Sequence, residues 1–179
     1  MANAKTKGQG QMKDKMVPFI SASEIDKIVA DLAKKIDKEY GNQEVVVICP
    51  LKGSCLFVSD LVRKLHMKVI VDFVHLTSPR GEGVRILKDI SIDITNKHVI
   101  IAEEIVDAGR TLSFLRSRLL AGQPRSLKIV ALLDKPARRE LPIKPDYIGK
   151  TIDDRFVVGY GLDSEELGRN YKDIFNYAN

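Results

Sequence analysis

Residues 45–49, Val-Val-Val-Ile-Cys, are apolar at every position and mostly β-branched. A strand with one wet face alternates apolar and polar residues, whereas an unbroken apolar run belongs to a strand covered on both faces. Similar runs recur at Val69–Leu76, His98–Ala102 and Leu127–Leu133, with shorter ones at Tyr147–Gly149 and Arg155–Tyr160 and a further strand expected within Val84–Ile94. Helical patterns separate them. Ser21-Ala22-Ser23-Glu24 fits a capping box, and Ile25, Ile28, Val29, Leu32 and Ile36 follow at helical spacing, which predicts a helix over 22–40 that Gly41-Asn42 ends. Leu56, Phe57, Leu61, Val62 and Leu65 predict a second helix over 55–66, and a third runs from Thr111 to Leu120. Strands alternating with helices indicate an α/β fold, a mostly parallel twisted sheet flanked by helices.

The 179 residues suit one domain, expected over 17–179. A disordered basic leader over 1–16, carrying Lys5, Lys7, Lys13 and Lys15, is expected to precede it. The longest apolar run, residues 45–51, is far short of the roughly 20 residues of a membrane helix. The N-terminus lacks the apolar core of a signal peptide. Cys49, Cys55 and the 3 histidines fall in neither a disulfide framework nor a zinc-ligand spacing. The expectation is a cytoplasmic protein with no membrane partner. Lys+Arg of 29 against Asp+Glu of 24 gives a net charge of +5, which suits an anionic ligand. The leader has no aromatic residue on which bases would stack, so no nucleic-acid partner is expected.

In open α/β sheets ligands bind beyond the carboxyl ends of the strands. One strand end stands out: Val99–Leu112, VIIAEEIVDAGRTL. Its apolar run delivers Glu103 and Glu104, then Asp107, Gly109 and Thr111 as the chain enters a helix. Gly109 permits close backbone approach, the helix N-terminus offers free amides to a phosphate, and Thr111 adds a hydroxyl. Two carboxylates beside a phosphate cradle suit sugar hydroxyls, so the segment asks for a sugar phosphate. The plain alternative is a capped turn with a solvated Glu pair, and spacing alone gives the two even weight. No Walker-type run is present.

VIIAEEIVDAGRTL resembles the phosphoribosyl-diphosphate signature of the type I phosphoribosyltransferases. Pro50-Leu51-Lys52-Gly53-Ser54, Asp134-Lys135-Pro136 and DRFVVGYGLD at 154–163 narrow the resemblance to the hypoxanthine-guanine phosphoribosyltransferases. It runs from about residue 17 to Arg169. The resemblance implies a sheet with a small hood formed from the N- and C-terminal segments, and an activity that moves 5-phosphoribosyl from its 1-diphosphate to hypoxanthine or guanine with Mg²⁺. Glu103 and Glu104 would bind the ribose hydroxyls directly or through metal, and Asp107, Ala108, Gly109, Arg110 and Thr111 would cradle the 5′-phosphate. Asp107 would be the general base or proton partner at the purine. Lys135 would donate to the 6-oxo group, Phe156 would stack on the base and the Val157 carbonyl would read the 2-position. Asp163 would hold a second Mg²⁺, and Lys52, Gly53 and Arg169 the pyrophosphate. The Leu51–Lys52 bond is often cis in that family. A homodimer or homotetramer is implied as well.

Read singly, these residues have plainer roles: Lys135 a solvated cation beside Arg138 and Arg139, Phe156 a core ring, Arg169 surface decoration. The chain also departs from the family. Glu104 stands where Asp is usual, Ala108 where Thr is usual, and the loop Thr77–Gly83 is shorter, with Ser78 kept and Pro79 in place of Tyr. Arg80 is read there as a replacement pyrophosphate contact. Two alternatives share the sugar-phosphate site: transfer to another base such as xanthine, and a non-catalytic regulatory protein that binds phosphoribosyl diphosphate.

Overall fold

A computed structural model describes residues 16–78 and 83–177. The basic leader, apart from Met16, and the loop residues Pro79 and Arg80 lie outside the described residues.

Strand β1 (Met16–Ile20) leads into helix α1 (Ala22–Tyr40), and β2 (Glu44–Leu51), α2 (Cys55–Val62), β3 (Lys68–Thr77) and β4 (Arg85–Lys88) follow. The second half holds β5 (His98–Val106), α3 (Arg110–Leu120), β6 (Ser126–Asp134), a 3₁₀ turn over Pro136–Arg138, β7 (Tyr147–Thr151), β8 (Val157–Val158) and β9 (Ile174–Tyr177). The main sheet has the order β4-β3-β2-β5-β6-β7, parallel throughout except for the edge strand β4. The α1 boundaries match the sequence reading. Ser21 accepts from the Glu24 amide at 3.2 Å as its N-cap, and the Gly41 amide closes the helix onto Asp37.

The unbroken apolar strands now have their physical reason. Val45, Val47 and Cys49 of β2 pack with α1 and α2, while Val46 and Ile48 face Leu112, Leu115 and Leu119 of α3. Successive side chains point to opposite faces, and both faces are dry. Cys49 shows the consequence: burial pushes its thiol up to about 12.

Two elements are shorter than their patterns predict. Helix α2 stops at Val62, since Arg63 and Lys64 turn the chain toward β3, and only Val157–Val158 of 155–160 is strand. The strand expected within 84–94 is Arg85–Lys88. The hood is the separate sheet β1-β9-β8, joining Met16–Ile20 to the chain's C-terminal stretch. Ile20, Val157 and Ile174 insert into the α1/α2 side of the core, and the Ala22 amide donates to Asp173 at 2.6 Å. Among the described residues no helix is long and apolar enough to cross a membrane.

The β3–β4 hairpin is pinned by one carboxylate. Buried Asp72 accepts from the amides of Phe73 at 2.7 Å and Ile92 at 3.0 Å, from the Ser91 amide, and from the Lys88 ammonium at 3.5 Å. Burial raises its pKa, but these donors together outweigh burial and hold it below the ordinary carboxylate value. A depressed folded-state pKa contributes stability above the unfolded pKa and loses it as pH falls through the folded one. Asp72→Ala is therefore expected to cost about 1–3 kcal/mol at neutral pH. In urea unfolding, the gap between wild type and variant should narrow as pH drops below about 4. A gap that is constant with pH would count against the assignment.

Candidate active site

Strand β2 pairs with β5 only from Val45–His98 to Ile48–Ile101, yet β5 stays paired with β6 as far as Val106–Asp134. Beyond Ile101 the two central strands part, and a crevice opens where β2 connects one way, to β3, and β5 the other, to β6. Such a switch point is where α/β sheets bind ligands. A cavity of about 650 Å³ fills it, with Leu51–Gly53 on one side and Glu103–Leu112 on the other. Glu103 and Glu104 belong to β5 itself, whose pairing with β6 extends the strand past the apolar run.

The cradle forms where β5 gives way to α3. Gly109, at φ +84°, is the N-cap and places no side chain over the first turn; a Cβ there would press on Ile143 at 2.6 Å. Neighbouring backbone groups hold the turn from behind. The Lys135 amide donates to the Val106 carbonyl at 3.0 Å and the Glu140 amide to the Ala108 carbonyl at 3.0 Å, while Arg139 reaches the Asp107 carbonyl. The Asp107 carboxylate, inside the cavity, accepts from Arg138 Nε at 3.1 Å.

On the opposite wall, Leu51–Lys52 is a cis peptide. Ser54 is fully buried, and its hydroxyl lies 3.1 Å from Glu103 and in short contact with Glu104. Burial, and then the charge of Glu104, push Glu103 well above the usual carboxylate range; burial likewise raises Glu104. Lys52 Nζ pairs with Glu166 at 2.9 Å, and Arg169 pairs with Asp163 at 2.8 Å and Glu166 at 3.4 Å. The Lys52 hydrogen bond lowers the Glu166 pKa.

The single cavity thus gathers Lys52, Gly53, Glu103, Glu104, Asp107, Ala108, Gly109, Arg110 and Thr111. Lys135, Phe156, Val157, Asp163 and Arg169 stand outside its lining. Arg138 links the two groups, since it also pairs with Asp154 at 3.5 Å, two residues before Phe156. The plainer readings of single residues fail here. Lys135 is 6% exposed, and Phe156 is 44% exposed, held edge-on by Tyr177 at 5.8 Å. Arg169 is half-buried and donates to the Gly161 carbonyl at 2.8 Å.

The profile of the phosphoribosyl transferase domain matches residues 21–165. This chain belongs to the phosphoribosyl transferase family. A curated relative, the hypoxanthine-guanine phosphoribosyltransferase of Staphylococcus aureus, is 40% identical over 157 residues, which cover 85% of this chain and 88% of the relative. The hypoxanthine phosphoribosyltransferase of Haemophilus influenzae is 41% identical over 161 residues, 85% and 89% of the two chains. The crystal structure of a Bacillus anthracis hypoxanthine-guanine phosphoribosyltransferase matches with a TM-score of 0.88 at 38% identity, covering 90% of this chain and 98% of that one. A hypoxanthine phosphoribosyltransferase structure from Staphylococcus aureus gives 0.90 at 36%, covering 99% and 96%.

In this phosphoribosyltransferase some contributors escape sequence reasoning. Arg138, Arg139, Glu140 and Glu166 look like solvated loop charges, and no local spacing ties them to residues 30 or more positions away. Arg139 illustrates the point: it is largely buried and ion-paired with buried Asp134 while holding the Asp107 carbonyl. Breaking a buried pair from one side costs about 3–5 kcal/mol because the partner charge is left uncompensated. Arg139→Met should show a loss of that size in denaturant unfolding, and adding Asp134→Leu should restore most of it. A double variant no better than the single one would refute the pairing.

Proposed function

We propose that this chain is a purine-salvage enzyme that transfers the 5-phosphoribosyl group of phosphoribosyl diphosphate to hypoxanthine or guanine and releases pyrophosphate. The observation that carries this reading is one crevice holding both a helix-capped phosphate cradle and an adjacent acid pair. The names of the relatives support the choice of a 6-oxopurine.

In the reaction the bond from the sugar C1 to pyrophosphate breaks and a bond from C1 to a purine ring nitrogen forms. Residues Asp107–Thr111 hold the 5′-phosphate on the α3 N-terminus. Asp107 takes the proton that the other imidazole nitrogen gives up, with Arg138 fixing the carboxylate beside it. Lys135 donates to the 6-oxo oxygen. An amino group at that position would set donor against donor, which excludes adenine. Phe156 stacks on the base through its exposed face, and the Val157 carbonyl reads the 2-position. Lys52, Gly53 and Arg169 receive the departing pyrophosphate.

Hard oxygen donors suit Mg²⁺, and Glu103 has no Lys or Arg ion pair among the described residues, so it fits a divalent ion. No three His, Cys, Asp or Glu side chains cluster as a metal cage among the described residues. That agrees with an ion held by one or two carboxylates and by substrate phosphates. Glu103 and, at the second position, Asp163 would hold it. When bound, the ion offsets the charge developing on the leaving pyrophosphate. Ala108 places no hydroxyl in the cradle, which leaves the 5′-phosphate one hydrogen bond fewer.

A coupled spectrophotometric assay with Mg²⁺, phosphoribosyl diphosphate and each of hypoxanthine, guanine, xanthine and adenine tests the proposal. Turnover of hypoxanthine or guanine and none of adenine is expected. Lys135→Ala should lower kcat/KM for the 6-oxopurine by roughly 10- to 150-fold, the loss of one hydrogen bond to a charged group. No turnover of any base would reject the enzyme reading.

A further inference from the structure

The turn Lys52-Gly53-Ser54 carries a cation toward the crevice between the end of β2 and the start of α2, where the Ser54 carbonyl accepts from the Val58 amide at 2.8 Å, and Glu104 meets it from β5. We propose that Glu104 is a positioning residue for this pyrophosphate turn and not a ligand of the ribose, an inference that rests on reading the crevice as the phosphoribosyl-diphosphate site. Both oxygens of its carboxyl face the turn. Oε2 makes a short contact with the Ser54 hydroxyl. Oε1 and Cδ lie against Gly53, in the space that a Cβ would occupy. The Glu104 amide also points at the Ser54 oxygen, 3.4 Å away.

Ser54 explains why the two neighbouring acids are unequal. A hydroxyl has one proton to donate, and Glu104 is its nearer acceptor, with Glu103 at 3.1 Å. Glu103 is left as the acid that faces the ligand. The other side of the turn is closed by the hood. A Cβ on Gly161, at φ +97°, would run into the Gly53 carbonyl oxygen, so these two backbones are in direct contact. The Gly161 carbonyl accepts from Arg169 Nη1 at 2.8 Å, and its amide donates to the Arg169 carbonyl at 2.9 Å.

Glu104, Gly53, Gly161 and Arg169 therefore form one stack from β5 to the hood. Its effect is to set Lys52 and Arg169 side by side, 2.9 Å and 3.4 Å from the same Glu166 oxygen. The length of Glu104 matters: a carboxyl one methylene shorter would end about 1.5 Å short of the turn.

Two probes separate the roles. Inorganic pyrophosphate occupies only the turn's side of the site, whereas GMP carries the ribose, 5′-phosphate and base but no pyrophosphate. Titration calorimetry with Mg²⁺ is expected to show pyrophosphate binding weakened about tenfold in Glu104→Asp and in Ser54→Ala, with GMP affinity within about twofold of wild type. Glu104→Gln keeps the length and an acceptor oxygen, and should retain pyrophosphate binding. GMP weakened with pyrophosphate unchanged would make Glu104 a ribose ligand and overturn the proposal, as would equal loss of both or loss of neither. Thermal unfolding checks that each variant is folded, and Ser54→Ala carries the test if Glu104→Asp is not. Turnover by the wild type is scored separately. A wild type that binds pyrophosphate but turns over no base defeats the functional reading and leaves the comparison of the two probes intact.

Discussion

The parting of β2 from β5 beyond Ile101 is the constraint on which the site depends. As long as the strands are paired, their backbone groups satisfy one another and no ligand can enter. Once they separate, β5 survives as a strand because β6 still holds its other edge through Val106–Asp134. A half-paired strand is an unusual platform: rigid on one side and open on the other. Glu103 and Glu104 occupy that stretch, and Asp107–Thr111 follow directly. The acid pair, the cradle and the helix N-terminus therefore owe their relative placement to one β ladder and one glycine turn, which Lys135, Arg139 and Glu140 back from behind.

Electrostatics follow from that geometry. Two neighbouring carboxyls on a half-buried strand raise each other's cost, which burial makes larger, and a single serine hydroxyl is their shared donor. Around the rim the arrangement is the opposite, with each acid beside a guanidinium or ammonium: Asp107 with Arg138, Glu140 with Arg110, Glu166 with Lys52. The acids without an ion-pair partner among the described residues lie inside and the ion-paired ones lie outside. On the proposed function, the floor would take the metal and the cations of the rim the polyphosphate.

Much of this was legible in the chain. The strands covered on both faces announced themselves because apolar side chains at consecutive positions have no other stable use in a strand, and α1 was bounded by a capping serine and a glycine that leave little latitude. The strand-turn-helix at 99–112 was legible because its chemistry is contiguous. Lys135 and Phe156 were readable only through resemblance, since burial and exposure are tertiary facts: the same lysine in a Lys/Arg-rich loop would be solvated if Val106 did not accept its amide and draw it under the β5 turn. The strands of the hood were harder still. Met16–Ile20 and Ile174–Tyr177 pair across nearly the whole chain, and β8 is two residues long, too short to leave a periodic signal.

The ion pair of Lys52 with Glu166 joins positions 114 residues apart, and Arg169 shares the same carboxylate. The resting protein thus supplies its own counter-ion to the two cations. On the proposed function, a polyanion arriving there would not settle on bare positive charge but exchange with a tethered carboxylate, which would return from close by when the polyanion leaves. Neutralised at both ends of such a cycle, the two cations would hold a multiply charged product less tightly than bare ones.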